Sequence, residues 1–449
     1  MKRDLDVRDN MFANPFTPAE IAGLPEDFFG RSEALRLIEQ GLVKAAVAIQ
    51  GPMGMGKSSL MARIRALMEG KPRCAKTVLA VADKDVKTVD QAARLLLQAF
   101  VRWNEAANTV TFKLGTEYDV ESAEICGYLK AGHELAALKK IITQENLQKI
   151  IAAQQLLIFA VDEADKCPVP LARLLRSLIM HAQQNGVKNV RFLLAGVSPF
   201  FQEMLKEDAG LNRFFAKTIT LSPLAQAEAA QLIATKLAQA AQAAEQQGLR
   251  LQVQPALIAR VAALAGGHPH LLQLLGSYLL ANEESNPDGV INARDLVDAL
   301  RKICYEDRGH VYDAELHRLE IHGMLETLKN LFAVASPEFP TRIPRRAARR
   351  VADEEAIAWL IAQHILAAVS HEEYGLMDEF LRIRMLLDES ERADEMFLLE
   401  KQLISRGALA GESAAGEDEA ANDAYARGDL LSIEGNELDF LDPAGDDEV

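Results

Sequence analysis

One eight-residue segment constrains this chain more than any other: Gly51-Pro52-Met53-Gly54-Met55-Gly56-Lys57-Ser58. It follows Ala45–Gln50 (AAVAIQ), an apolar run of strand length. It precedes SSLMARIRALM, which has helical spacing. The glycines let the backbone curl so that successive N–H groups point inward. The helix opening near Lys57 adds the positive end of its dipole, and the whole turn suits a chain of phosphates. The pattern is G-x-x-x-x-G-K-[ST], in which Lys57 reaches the β- and γ-phosphates and the Ser58 hydroxyl ligates Mg²⁺. From average residue frequencies, about 0.01–0.02 chance matches are expected in a chain of this size.

Four more apolar runs fit the same architecture: Thr77–Ala82, Leu156–Val161, Val190–Ala195 and Lys217–Leu221. They alternate with helical segments, beginning with 32–44, where Leu35, Ile38, Leu42 and Val43 share a face. Near-continuous apolar strands between helices predict an α/β fold, a parallel sheet covered on both faces. Leu156–Val161 runs directly into Asp162-Glu163-Ala164-Asp165. Asp162, at the strand tip, is placed to hold Mg²⁺. Glu163 is placed either to polarise the water attacking a γ-phosphate or merely to cap the next turn. Asp165 reads as a cap or a surface contact.

The remaining organisation is read more coarsely. Residues 1–24 form an irregular, proline-containing arm and 25–223 the sheet domain. Residues 224–290 are an Ala-, Gln- and Leu-rich helical bundle in which strands stop. Residues 291–400 are helical with a strand-like element near 373–384, and 401–449 are an acidic tail that lacks the apolar content to pack. Within 105–155, TVTFKLG reads as a hairpin. The chain has 449 residues, 49% hydrophobic and 25% charged, as soluble globular proteins do. Of the net charge of −16, the segment from Gly411 to Val449 carries −12, from 13 acids and one base, which leaves −4 for the other 410 residues. The end of the tail, LLSIEGNELDFLDP, reads either as a solvated tail or as a short docking motif. Four dispersed cysteines without a CxxC pair argue against zinc and disulfides and suit a reducing cytoplasm. No apolar run approaches the ~18 residues of a bilayer span, and MKRDLDVRDN does not read as a secretory signal.

With these motifs the chain resembles the AAA+ P-loop ATPases, in the branch of origin-recognition-type initiators and STAND signalling ATPases. Phe28-Phe29-Gly30-Arg31-Ser32-Glu33 matches the box that lies against adenine and ribose in that family. The resemblance adds Phe29, Gly30 and Arg31 to the nucleotide site beside Gly51, Pro52, Met53, Gly54, Met55, Gly56, Lys57, Ser58 and Ser59. Ser198, after the strand RFLLAG, stands where the family senses the γ-phosphate. Arg213 precedes ITLSPL as an arginine finger does. Gly266-Gly267-His268-Pro269 resembles the lid motif whose proline, here Pro269, abuts the base. The lid arginine that many members use as a second sensor is missing from GHPHLLQLL. Either His268 or His270 touches phosphate in its place, or both only pack the turn.

The resemblance implies Mg²⁺ and ATP as cofactors, a helical lid and an appended winged-helix-like domain at about 310–390. The catalytic set it implies is Lys57, Glu163, Ser198 and Arg213, with Ser58 and Asp162 on the metal. An arginine finger implies a homo-oligomer. Arg342, Arg345, Arg346, Arg349 and Arg350 are the one basic cluster, suited to a phosphate backbone, an acidic partner or the chain's own tail. The following helix begins Asp353-Glu354-Glu355, which disfavours DNA. The expected function is therefore a slow, cytoplasmic ATP-hydrolysing switch. It would signal to a separate effector or partner protein, by analogy in a bacterial defence or mobile-element system. The alternatives are a DNA-acting ATPase, such as a replication initiator or transposition regulator, and a scaffold that holds ATP permanently. No membrane role is expected.

Overall fold

The computed structural model describes residues 14–22, 28–70, 74–106, 112–113, 119–120, 133–152, 154–285 and 289–392. The chain divides into a unit Met1–Ala408 and a second unit Leu409–Val449. The acidic tail expected over 401–449, with its candidate docking motif, lies outside the described residues.

The strands are β1 (Ala46–Gln50), β2 (Ala75–Val81), a short pair β3 (Phe112–Lys113) and β4 (Asp119–Val120), then β5 (Leu156–Asp162), β6 (Val190–Gly196) and β7 (Phe215–Thr220). The main sheet has the order β2–β5–β6–β1–β7, every neighbouring pair parallel. The central strands are buried almost throughout, which is why they read as unbroken apolar runs. At one edge, β2 leaves Leu79 and Val81 exposed. Helices Ser32–Lys44 and Lys57–Gly70 cover one face through Ile38, Leu42, Leu60 and Ile64. Val89–Ala106, Glu134–Ile141 and Pro168–Gln184 cover the other through Leu96, Phe100, Leu138 and Leu174. Of the hairpin read within TVTFKLG, Phe112–Lys113 pairs antiparallel with Asp119–Val120, beyond the motif, and the rest of the motif lies outside the described residues.

This order puts β6 between β1 and β5. The turn after β1 and the acids after β5 therefore flank the same carboxyl edge of the sheet, where open parallel sheets bind ligands.

Three helices form the lid: Gln226–Gln246, Pro255–Leu264 and Pro269–Ser285. Strands do not stop at Ala225 as expected, because β8 (Gln252–Val253) and β9 (Val290–Ile291) make a two-residue parallel pair. After helix Ala293–Arg301 come a π-helical stretch Lys302–Asp307 and helices Gly309–Ile321 and Leu325–Ala333. Then follow β10 (Ile343–Pro344), helices Arg345–Val351 and Glu354–Ala362, and β11 (Leu366–Ala368) and β12 (Glu373–Leu376). These three strands form an antiparallel sheet ordered β10–β12–β11.

Two sequence readings need correction here. EEAIAWLIAQHILAAV is not one helix: His364 takes a left-handed φ of 59°, which ends the helix, and Leu366–Ala368 pairs as a strand. The strand read over 373–384 ends at Leu376. Asp378 then accepts the N–H of Phe380 at 2.9 Å and opens the helix Glu379–Arg392. A single apolar cluster, from Leu232 and Leu275 in the lid to Leu360 and Leu387, runs through both regions.

The arm segment Asn14–Ala22 is irregular, as expected, yet firmly attached. Phe16 is only 4% exposed and packs on Gly276 of the lid, a burial that contributes about 2–3 kcal/mol. Lys236 donates to the Pro15 carbonyl, and the Thr17 N–H donates to Gln273 Oε1. Among the described residues no helix is long and apolar enough to cross a membrane.

Candidate functional site

At the carboxyl edge of the sheet lies a cavity of about 360 Å³, within the range of small-ligand sites. Its floor is Met53–Ser59 with Asp162, Glu163, Asp165 and Lys166. Its walls are Phe28, Phe29 and Arg31 before the sheet and Pro269, His270 and Gln273 of the lid. The arm closes it with Thr17, Pro18, Glu20, Ile21 and Ala22.

The Ser58 hydroxyl donates to Asp162 Oδ2 at 2.5 Å, joining the helix after β1 to the tip of β5 across 104 residues of sequence. Lys57 Nζ donates to the carbonyls of Gly51 (2.9 Å) and Pro52 (2.7 Å), the two residues that open the turn. Burial lowers the pKa of Lys57, opposed by the charges of Asp165, Asp162 and Glu163. Asp162 also accepts the Glu163 N–H at 2.9 Å. Glu163 sits at φ 54° with its carboxylate paired to Lys166. Arg31 is left-handed too, at φ 65°, so both non-glycine strain points bordering the cavity fall on residues singled out in the sequence. Burial lowers the Arg31 pKa, partly offset by Glu228, and its Nη2 is buried without a hydrogen-bond partner.

The oxygens of Ser58 and Asp162 converge as a hard cation such as Mg²⁺ requires. Among the described residues no group of three or more His, Cys, Asp or Glu side chains is placed to hold a metal. Mg²⁺ characteristically takes one or two carboxylates and completes its shell with phosphate and water.

The other candidates are placed as follows. Gly30 adjoins the cavity at φ 63°, against the side chain of Glu228. Ser198 is half-buried outside the lining, while its neighbour Val197 lines the cavity and donates its N–H to Asp165 Oδ1 at 2.8 Å. Asp165 thus ties the end of β6 to the site. Arg213 is exposed, away from the lining, with its guanidinium 4.8 Å above the Phe214 ring.

The arginine cluster is partly committed. Arg345 stacks on Tyr374 at 4.6 Å, Arg349 lies 3.3 Å from Glu354 and Arg342 lies 4.0 Å from Glu373. Arg346 and Arg350 are exposed.

Sequence reasoning missed the arm. Ala22 N–H donates to Ser59 Oγ at 3.1 Å, and His270 Nδ1 lies 3.1 Å from the Pro18 carbonyl, so the segment bridges the core and the lid. No period or motif marks it, because its fold is dictated by the surfaces it crosses. Of the two histidines, His268 Nε2 reaches the Met53 carbonyl at 3.1 Å. Burial, then the neighbouring His270, pushes its pKa down to about 3, so the ring is neutral.

No curated protein sequence matches the chain. Solved structures share its fold. A Walker-type ATPase of Pyrococcus abyssi superposes with a TM-score of 0.53 at 16% identity, covering 82% of this chain and 99% of that one. The Aeropyrum pernix ORC2 protein, solved as ADPNP–ADP complexes, gives 0.50 at 12% identity, over 85% of this chain and 100% of that one. The model of the family Novel STAND NTPase 1 matches residues 22–311, from the arm to beyond the lid, and the chain belongs to that family of P-loop NTPases.

Proposed function

We propose that this chain binds ATP with Mg²⁺ between the sheet edge and the lid, hydrolyses it slowly, and passes the nucleotide state to a partner protein. The observation that carries the reading is the 2.5 Å contact of Ser58 with Asp162, with Lys57 and Glu163 lining the same cavity. Bound Mg²⁺ would be held by Ser58 and Asp162 and would neutralise charge on the phosphate oxygens. Lys57 exchanges the Gly51 and Pro52 carbonyls for phosphate oxygens. Glu163, once parted from Lys166, orients the attacking water and takes its proton. Phe28, Phe29 and Pro269 offer apolar faces to a base, and the orphaned Nη2 of Arg31 is a donor that a nucleotide can satisfy. Ser198 keeps its proposed sensing role only if its side chain turns toward the site on binding.

A switching role is supported by the turn Gly266–His270. On one side it touches the phosphate turn. On the other, a Cβ on Gly266 would stand 2.8 Å from Glu379 Cγ, so the turn abuts the helix Glu379–Arg392 closely. The region 291–400 is read as the winged-helix-like output domain, after the arm 1–24, core 25–223 and lid 224–290. Exposed Arg213 fits a finger offered to a second copy of this chain. Arg346 and Arg350 suit an acidic partner better than DNA, since Glu354 and Glu355 open the next helix.

The test compares wild type with Lys57→Ala and Glu163→Gln. Wild type should release phosphate from Mg-ATP, Lys57→Ala should lose ATP binding, and Glu163→Gln should bind ATP while turnover falls about a hundredfold or more. Wild-type protein without affinity for Mg-ATP would overturn the reading. ATPase activity stimulated by duplex DNA, rather than by a protein, would favour the DNA-acting alternative.

A further inference from the structure

The lid grips the phosphate turn at two consecutive carbonyls. His268 Nε2 lies 3.1 Å from Met53 O, and the backbone N–H of His270 donates to Gly54 O at 3.4 Å. The contact is close: Gly54 is left-handed at φ 74°, and a Cβ there would stand 2.4 Å from His268 Cε1. The Met53 carbonyl can only accept, so Nε2 carries the proton. Nδ1 then faces the Leu271 N–H, 3.5 Å away, as an acceptor.

A peptide unit is planar and trans, so its C=O and its N–H point in opposite directions. A carbonyl drawn toward the lid turns the next N–H away from the lid. Holding Met53 O therefore turns the Gly54 N–H, and holding Gly54 O turns the Met55 N–H, away from the lid. Burial keeps His268 neutral, so it offers no charge to phosphate, and its contribution is this one directed hydrogen bond.

We propose that His268 is a positioning residue for the phosphate turn, setting the direction of the Gly54 N–H through the Met53 carbonyl. The proposal rests on the nucleotide reading above. With the lid closed, two N–H donors are aimed before the phosphates arrive. With the lid open, the Met53–Gly54 peptide is free to rotate and the grip on the distal phosphates weakens.

The test measures the affinities of full-length wild type, His268→Gln and His268→Leu for ATP and for AMP, together with their melting temperatures. Glutamine keeps a donor at similar reach and should keep the wild-type preference for ATP over AMP. Leucine keeps bulk without a donor. Its preference for ATP should fall about tenfold or more, with AMP affinity and melting temperature little changed. Should the leucine variant not fold, His268→Phe, which keeps a planar ring, takes its place with the same expectation. Equal loss of ATP and AMP affinity in the donor-less variant would mean packing alone and overturn the proposal. So would an unchanged ATP preference, or a glutamine variant as impaired as the leucine one. Wild type that binds neither nucleotide overturns the nucleotide reading along with it, whereas wild type that binds ATP beside an unaffected leucine variant overturns this inference alone.

Discussion

The two halves of the cavity are built differently. The sheet half comes from two short contiguous stretches, Met53–Ser59 and Asp162–Lys166, each fixed by the end of a strand. The lid half is assembled from Thr17–Ala22, Phe28–Arg31 and Pro269–Gln273, segments up to 256 residues apart that meet only in the folded chain. Chemistry on phosphate needs acids, a lysine and a hydroxyl at set spacing, and backbone geometry supplies that locally. Retention of a ligand needs a wall that can move, and a wall made of separate segments can part at their junctions. On the proposed function, the contrast predicts that hydrolysis and release are under separate control.

The largest expected effect tests whether the sheet half is complete within one chain. Arg213→Ala should lower ATP turnover about a thousandfold while leaving ATP affinity intact, because the guanidinium would act on a neighbouring copy's phosphate. Steady-state hydrolysis against protein concentration, beside equilibrium binding, is the measurement, and unchanged turnover would confine catalysis to one chain's cavity.

A second test probes the far side of the lid. Glu379 is buried, with the Thr341 N–H and hydroxyl on its two oxygens. Burial still raises its pKa to about 7, against the opposing pull of Thr341 and Arg382. A carboxyl raised in the folded state contributes stability that is complete below its unfolded value, near 4.5, and lost as pH climbs through about 7. The melting temperature should therefore fall between pH 5 and 8, by an equivalent of roughly 3 kcal/mol. Glu379→Gln should flatten that profile. A variant as pH-dependent as wild type would place the titration elsewhere.

The smallest effect tests the link between the halves. Ser59→Ala removes the acceptor of the Ala22 N–H. Losing about 1 kcal/mol there should speed nucleotide release roughly fivefold without altering the rate of bond cleavage. Stopped-flow release of a fluorescent nucleotide reads it directly. An equal change in both rates would dissolve the distinction between the halves.

Legibility in the sequence follows the same division. Lys57, Ser58, Asp162 and Glu163, which the fold brings to one cavity, were legible as candidates because each pattern is contiguous in the chain and follows an apolar strand. The central strands β1, β5 and β6 were readable because burial on both faces leaves uninterrupted apolar runs, and the edge strands β2 and β7 kept enough apolar residues to be read beside them. Beyond the lid the pattern was ambiguous. ILAAV suits a helix or a strand equally, and only the left-handed turn at His364 decides between them. Arg345 reads as surface charge until Tyr374 arrives from a strand 29 residues later to stack on it. The left-handed backbone of Arg31 and Glu163 has no signature in residue type, since neither is a glycine or an asparagine.

The apolar cluster common to the lid and the region beyond it has a mechanical consequence. Two bodies that bury one interior cannot slide past each other without exposing it to water, so they travel as a single arm of a lever. On the proposed function the connector near Ser222–Pro223 would serve as the pivot, so a shift beside the cavity would be carried toward the exposed Arg346 and Arg350.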